Sequence, residues 1–246
     1  NMSKINSLAE KYNLLVIEDA AQGILSQYSN KSLGSIGDLG CFSFHGTKNI
    51  VAGEGGAIMI NNPQLVERAE IIREKGTNRT QFLKGQIDKY TWVDIGSSFL
   101  PNELTAAFLL AQLKASRLIT ENRLLLWNYY HRNFKGLENL GLVRRPIIPK
   151  DCKHNAHIYY LILRDEKTRD QFIFEMKKRH IQCTFHYVPL HSSPFYKRTY
   201  PLVKDNDFKV TNDLSSRIVR LPLWIGLDNF QDQIIEETIK VVKLLH

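Results

Sequence analysis

The 246-residue chain is 43% apolar and 24% charged, and 33 Lys and Arg against 25 Asp and Glu give a formal net charge of +8. This length can bury a core as one large or two modest domains, and no apolar run approaches the roughly 18–20 residues that span a bilayer, so neither a membrane span nor a secretory leader is expected. Cys41, Cys152 and Cys183 are odd in number and far apart, which argues against a disulfide framework and a structural zinc and suits a reducing cytoplasm.

The basic residues are spread out, the longest cluster being Lys177-Lys178-Arg179. That pattern fits attraction of phosphorylated small molecules, or simply a basic surface, better than nucleic-acid binding.

In chain order, residues 3–12 read as an amphipathic helix with Ile5, Leu8 and Ala9 inward. The run Leu14-Leu15-Val16-Ile17 reads as a fully buried strand ending on Glu18 and Asp19. A parallel sheet needs further strands, and helices on both faces, so the chain is expected to begin partway through a domain. A second apolar run at 41–44 ends on a hydroxyl, a histidine and a lysine: Ser43, His45 and Lys48. The stretch 51–56 is glycine-rich, which permits positive φ or close approach of backbone to a ligand, and 57–60 is another strand.

Asn62-Pro63 starts a helix with Leu65, Val66, Ala69 and Ile72 as its buried stripe and Gly76 as C-cap. The polar stretch 77–90 lacks periodicity and reads as a long loop. Pro101 opens a helix whose 104–113 interior is apolar nearly all round, so it is expected deep in the fold or in an interface. A long helix over 117–135, stopped at Gly136, reads as a bridge between domains, and 141–153 as a linker. Strands follow at 158–163 and 181–187, with a helix capped by Asp165 between them. Asp228 and Gln231 resemble a capping box for the last helix.

Singly these residues say little, since a lysine in a loop is usually solvated and an Asp after a strand usually forms a turn. Together they say more. Ligands bind beyond the carboxyl ends of strands in open α/β sheets, and an acid after one strand with a lysine after another suits pyridoxal phosphate (PLP) chemistry. There a lysine forms the Schiff base and an aspartate keeps the pyridinium nitrogen protonated.

Glu18-Asp19-Ala20-Ala21-Gln22, Gly37-Asp38, Phe42-Ser43-Phe44-His45, Lys48-Asn49 and Glu54-Gly55-Gly56 together resemble the DegT/StrS-type sugar aminotransferases. The resemblance runs through almost the whole chain. It implies an α/β fold of the aspartate-aminotransferase type (PLP fold type I). Residues 1–136 would be the C-terminal part of a three-layer PLP-binding domain, incomplete at its N-terminus, and residues 137–246 a small α+β domain.

By resemblance Lys48 is the Schiff-base lysine, Asp19 pairs with the pyridine nitrogen, Ala21 packs on the ring, Gln22 contacts the ring hydroxyl and Ser43 binds the phosphate. Ser98, in Gly96-Ser97-Ser98, stands where the family brings an Asn to the phosphate from the neighbouring subunit. His186 and His191 stand where the small domain meets substrate. A second similarity covers the stretch from Glu67 to Arg79 and the stretch from Asp88 to Ser98. It implies transfer of the amino group of glutamate to C4 of a dTDP-4-dehydro-6-deoxy-hexose, an activity of enterobacterial common antigen synthesis, with Arg79 among the substrate contacts and a cytoplasmic homodimer as the working form.

The family's main phosphate-binding loop and the aromatic that stacks on the cofactor would precede the strand where this sequence starts. The chain as given is therefore expected to hold PLP weakly or not at all. A non-catalytic interaction protein of the same fold is one alternative. A PLP-dependent sugar dehydratase is another, which Lys48 opposes because that branch carries histidine there.

Overall fold

The computed structural model describes residues 1–203 and 205–246. The chain packs as two units, Asn1–Thr120 with Pro149–Asn155, and Glu121–Ile148 with Ala156–His246. Residue 136, where the sequence suggests a boundary, lies inside a helix of the second unit.

In the first unit, α1 (Met2–Lys11) begins where Asn1 Oδ1 accepts the Lys4 N–H at 3.0 Å, an N-cap. Only Ala9 of its expected inner face is buried, and Ile5 and Leu8 are exposed. β1 is short (Ile17–Asp19), and Leu14, Leu15 and Ile17 are all exposed, Ile17 at 64%. The expected buried strand is thus corrected: β1 is the edge of its sheet, and among the described residues no second layer covers the apolar run.

β2 (Gln27–Tyr28) and β3 (Lys31–Ser32) form a hairpin. β4 (Leu39–Ser43) runs parallel to β1, with Ile17 opposite Leu39 and Asp19 opposite Cys41. It pairs antiparallel with β5 (Gly56–Ile60), Ser43 lying opposite Gly56, in the order β1-β4-β5.

Asn62 caps a turn over Pro63–Leu65 that leads into α2 (Val66–Arg73). No residue of its expected stripe is fully buried. Val66, Ala69 and Ile72 instead line an open cavity of about 790 Å³ with Ile58, Ile60 and Phe99. The helix ends at Glu74, and Gly76, with φ +76°, turns the chain away. The expected loop at 77–90 holds a short helix, α3 (Arg79–Leu83).

α4 (Glu103–Lys114) is capped by Asn102 Oδ1, which accepts the Thr105 N–H at 2.9 Å. It buries no residue, and Leu104 is 84% exposed, so the expectation of a deep position within the chain fails. A small core forms from Phe44, Ile50 and Ile119, with Ile24, Phe42 and Leu109 against it. β6 (Cys152–Lys153) completes the antiparallel sheet β3-β2-β6.

α5 (Ser116–Asn133) carries the division between the units after Thr120. α6 (Lys135–Asn139) follows it directly, so Gly136 lies within a helix and is not the stop signal it resembles. The second unit then takes β7 (Tyr159–Ile162), α7 (Glu166–Lys178), β8 (Thr184–Phe185), α8 (Pro194–Thr199), α9 (Lys209–Arg217), β9 (Ile218–Leu221) and α10 (Asp228–Leu244). Its sheet is antiparallel, β7-β9-β8. Alternation along β9 buries Val219 and Leu221. These meet Tyr130 from α5, Phe134 at the cap of α6, Phe172 and Met176 from α7, and Ile234, Val241 and Val242 from α10 in one continuous core.

Asp165 caps α7 as its sequence suggests, accepting the Thr168 N–H at 2.7 Å. The strand expected at 181–187 shrinks to β8. The capping box at 228–231 does not form. Leu227 is the N-cap, and Gln231 is buried, donating to Leu126 O at 2.7 Å. A buried amide finds a carbonyl partner before a solvent-side turn can use it. Among the described residues, no helix is long and apolar enough to cross a membrane.

The second unit's core sets a clear stability contrast. Phe172→Ala, at a fully buried site, is expected to cost ~3–5 kcal/mol in urea denaturation. Leu244→Ala, at the exposed end of α10, is expected to stay within ~0.5 kcal/mol. Equal losses from the two variants would contradict this packing.

Candidate active site

The site grows from two adjacent strand ends in the first unit. Successive residues on a strand face opposite ways, so Glu18 and Asp19 divide their work. Glu18 turns inward and is buried, and its carboxylate accepts three backbone N–H groups, from Gly34 at 2.8 Å, Ile36 at 2.5 Å and Gly37 at 2.7 Å. Asp19 turns outward and is exposed. Its Oδ1 accepts the Ala21 N–H at 3.1 Å, a turn of the Asx kind, and among the described residues its side chain makes no ion pair.

The loop that Glu18 gathers passes directly over β4. A Cβ on Gly40 would stand 2.1 Å from Gly34 O, so only glycine fits at that crossing. Asp38, just before β4, accepts the Val16 N–H at 2.8 Å and the Asn62 Nδ2–H at 3.0 Å. Those bonds, the Val16 amide first, hold the Asp38 carboxyl below the usual carboxylate range.

Because Asp19 lies opposite Cys41 in a parallel pair, Ser43 is two residues further along the neighbouring strand, on the same side as Cys41. Ser43 is half-buried, and its Oγ accepts the His45 N–H at 3.4 Å. The chain then enters a tight loop. Ala52 N–H donates to Phe44 O at 2.6 Å, Gly46 N–H to Gly53 O at 2.9 Å and Lys48 N–H to His45 O at 2.9 Å. His45 Nδ1 accepts the Thr47 N–H at 3.2 Å. An amide can only donate, so the neutral ring carries its proton on Nε2, 3.5 Å from Glu54.

Lys48 is half-buried, and among the described residues its amine has no hydrogen-bond or ion-pair partner, while the next two residues, Asn49 and Ile50, are buried. The amine is left unengaged on a loop whose neighbours are fixed. Asp19 and Ser43 thus end the neighbouring strands β1 and β4, and Lys48 follows on the loop after β4.

The other residues singled out in the sequence are placed as follows. Ala21 is half-buried and Gln22 exposed, two and three residues after Asp19. Ser98 is exposed, in a strap that pairs with the end of α2 through Lys75 N–H to Ser97 O and Ser97 N–H to Ile72 O, both 3.0 Å. There Gly76 and Gly96 cross so closely that a Cβ on Gly96 would lie 2.1 Å from Gly76 N. Arg79 is paired with the buried carboxylate of Glu74, a hydrogen bond that raises its pKa.

In the second unit, taken by itself, His186 is half-buried with Nδ1 lacking a hydrogen-bond partner. Burial, then Arg220, lowers its pKa. His191 is buried, stacks on Phe208 with centroids 4.1 Å apart, and its Nε2 lies 2.7 Å from Asn212 Oδ1. That histidine is committed to packing.

Sequence reasoning missed Asn155. It is buried, and it hydrogen-bonds to the segment after Asp19 and to the residue after Lys48. No local pattern marks it, because its partners lie more than a hundred residues away in sequence.

Compared with known proteins, the chain matches the profile described as the DegT/DnrJ/EryC1/StrS aminotransferase family over residues 1–240. It is 32% identical over 99% of its length to the uncharacterized protein MJ1066 of Methanocaldococcus jannaschii, covering 63% of that relative. It is 28% identical to the UDP-4-amino-4,6-dideoxy-N-acetyl-beta-L-altrosamine transaminase of Campylobacter jejuni, over 80% of this chain and 51% of that one. It is 27% identical to the dTDP-4-dehydro-2,3,6-trideoxy-D-glucose 4-aminotransferase of Saccharopolyspora spinosa, over 93% and 58%. Among solved structures it superposes on DesV of S. venezuelae with a TM-score of 0.86 at 25% identity, covering 98% of this chain and 62% of that one. The chain thus spans between about half and two thirds of the length of these relatives.

The lowered pKa of Asp38 fixes a sign for pH dependence. A carboxyl held low in the fold stabilises fully above its unfolded pKa, about 3.9, and that contribution is lost as pH falls below this value and through the folded pKa. Asp38→Asn is expected to lower the Tm at pH 7, with the gap to the unsubstituted protein closing as the pH approaches 3. A gap independent of pH would remove the charge from the account of this bond.

Proposed function

Since the chain belongs to the DegT/DnrJ/EryC1/StrS aminotransferase family, we propose that it carries the lysine and aspartate half of the site of a PLP-dependent sugar-nucleotide aminotransferase. The reaction proposed is transfer of the amino group of glutamate to C4 of a dTDP-4-dehydro-6-deoxy-hexose, giving dTDP-4-amino-4,6-dideoxygalactose. The observation that carries the reading is the pairing of two features: an unengaged Lys48 amine on the loop after β4, and the outward carboxylate of Asp19 at the end of the parallel neighbour β1. Position 4 is supported by the names of two relatives, a 4-amino-sugar transaminase and a 4-aminotransferase, and the dTDP carrier by the second of these.

The residues fit the cofactor chemically. PLP, when bound, supplies an electron sink at the carbon bearing the amine. Asp19 would hold the proton on the pyridine nitrogen, since a positive ring favours its ionised form. Lys48 would be the covalent attachment point and, once released, the base that carries a proton between substrate and cofactor carbons. Such positioned proton transfer typically contributes about 10²–10⁴-fold.

Lysine suits both tasks because desolvation readily lowers its pKa. Ser43 would donate its hydroxyl to the phosphate, Ala21 would pack on the ring and Gln22 would reach the ring hydroxyl. Ser98, from the neighbouring subunit of a homodimer, would add a second hydroxyl. For the sugar nucleotide, His186 keeps a ring nitrogen without a partner. His191 and Arg79 would have to give up the bonds to Asn212 and Glu74 that they make here. The exposed apolar face of α4 is proposed as part of the subunit contact.

The test is incubation with PLP, borohydride reduction and peptide mass mapping. PLP is used in excess because this chain is expected to hold it weakly at best; what label forms is expected on Lys48 and lost in Lys48→Ala, and label spread evenly over surface lysines would sink the reading. Turnover is then assayed with glutamate and dTDP-4-dehydro-6-deoxyglucose. Label at Lys48 without amino transfer would favour the non-catalytic reading of the fold.

A further inference from the structure

We propose that Asn155 is a positioning residue that clamps the loop carrying Lys48 to the segment following Asp19. It would hold acid and amine together through its side chain on one side and its backbone carbonyl on the other, touching neither. The functional importance of this clamp rests on the PLP reading above, but its geometry does not.

Asn155 is 3% exposed. Its Nδ2 donates to Gln22 O and to Ile24 O, each at 2.8 Å, and its own backbone O accepts the Asn49 Nδ2–H at 2.8 Å. Gln22 and Ile24 follow Asp19 within one turn of chain, and Asn49 directly follows Lys48. Ile24 also packs against the Phe44 and Ile50 cluster, so an apolar contact and a polar clamp act at the same place.

The chemistry selects the amide. Two carbonyl oxygens presented to one buried side chain need two donors on one atom, and the Asn NH₂ supplies both at short reach. Aspartate, of the same shape, would face both carbonyls with lone pairs. A buried group left that way is costly, and the structure relieves it by opening. Opening here would separate the segment after Asp19 from the loop of Lys48.

The test uses the full chain and two readouts. Amide hydrogen exchange, without PLP, is compared between the unsubstituted protein and Asn155→Asp. The expected result is exchange at least about tenfold faster, since one lost hydrogen bond is worth about that factor and two are lost here, in peptides over 20–26 and over 44–53 together, with the second unit unchanged. In the second readout the PLP concentration that half-labels Lys48 before borohydride reduction rises by a similar factor. The control is Gln231→Leu, which removes a comparably buried amide from the second unit and should move neither readout.

Faster exchange in only one of the two segments, no change in either, or an equal response in Gln231→Leu would overturn the clamp. If the unsubstituted chain takes no label at Lys48, the cofactor reading fails and hydrogen exchange alone decides this proposal. If Asn155→Asp does not fold, Asn155→Ser, which removes both amide donors without adding charge, is carried through the same measurements.

Discussion

The parallel register between β1 and β4 is the constraint on which the rest of the first unit depends. Parallel strands cannot be joined by a tight turn, and here the connection must leave Asp19, make the β2–β3 hairpin and return to Leu39. Buried Glu18 makes the return possible, because its carboxylate draws three consecutive-region amides, Gly34, Ile36 and Gly37, onto the strand. Asp38 then ties the start of β4 to Val16. Two carboxylates spent on backbone amides fix the register, and the third, Asp19, bonds only the nearby Ala21 amide and faces outward. Without Glu18 and Gly40 the outward acid and Ser43 would have no reason to end on neighbouring strand tips.

A second consequence concerns how a lysine is held. Ordering a lysine side chain costs up to ~2 kcal/mol in rotamer freedom, and an ion pair would recover part of that. Such a pair would also occupy the amine that the proposed chemistry needs free. The loop takes the other course. Ile50 is fully buried beside Phe44 and Ile119, and three short backbone hydrogen bonds close the turn. Position is thus imposed on the backbone at Lys48, and the side chain stays available.

The sequence made the chemistry legible and left the layering obscure. Asp19, Ser43 and Lys48 could be found because residue type and spacing beyond two short apolar runs are local properties, and β4, β5, α7 and the Asp165 cap followed from equally local signals. The failures share one cause: a pattern of apolar residues states what needs covering and not what covers it. Leu14 to Ile17 read as a buried strand and lie open at a sheet edge. Gln231 had the spacing of a capping residue and was drawn instead to a carbonyl on α5. Asn155 was invisible because it unites segments that only the folded chain brings together.

α4 presses that point furthest. Its apolar residues are distributed around the whole helix, and a helix packed on one side gains nothing from apolar residues on the other. Within this chain Leu109 meets the small core, yet Leu104, Phe108, Leu110 and Leu113 stay exposed. Burying a large apolar side chain is worth ~1.5–3 kcal/mol, so four left open on one helix are a standing cost that a second apolar surface removes. The homodimer proposed above supplies such a surface. Asn102 caps the same helix, and Ser98 lies four residues before that cap, so docking α4 would also bring the strap with Ser98 to the neighbouring subunit. On the proposed homodimer, the apolar face and the serine hydroxyl would be two parts of one requirement, that the site be finished by a second copy.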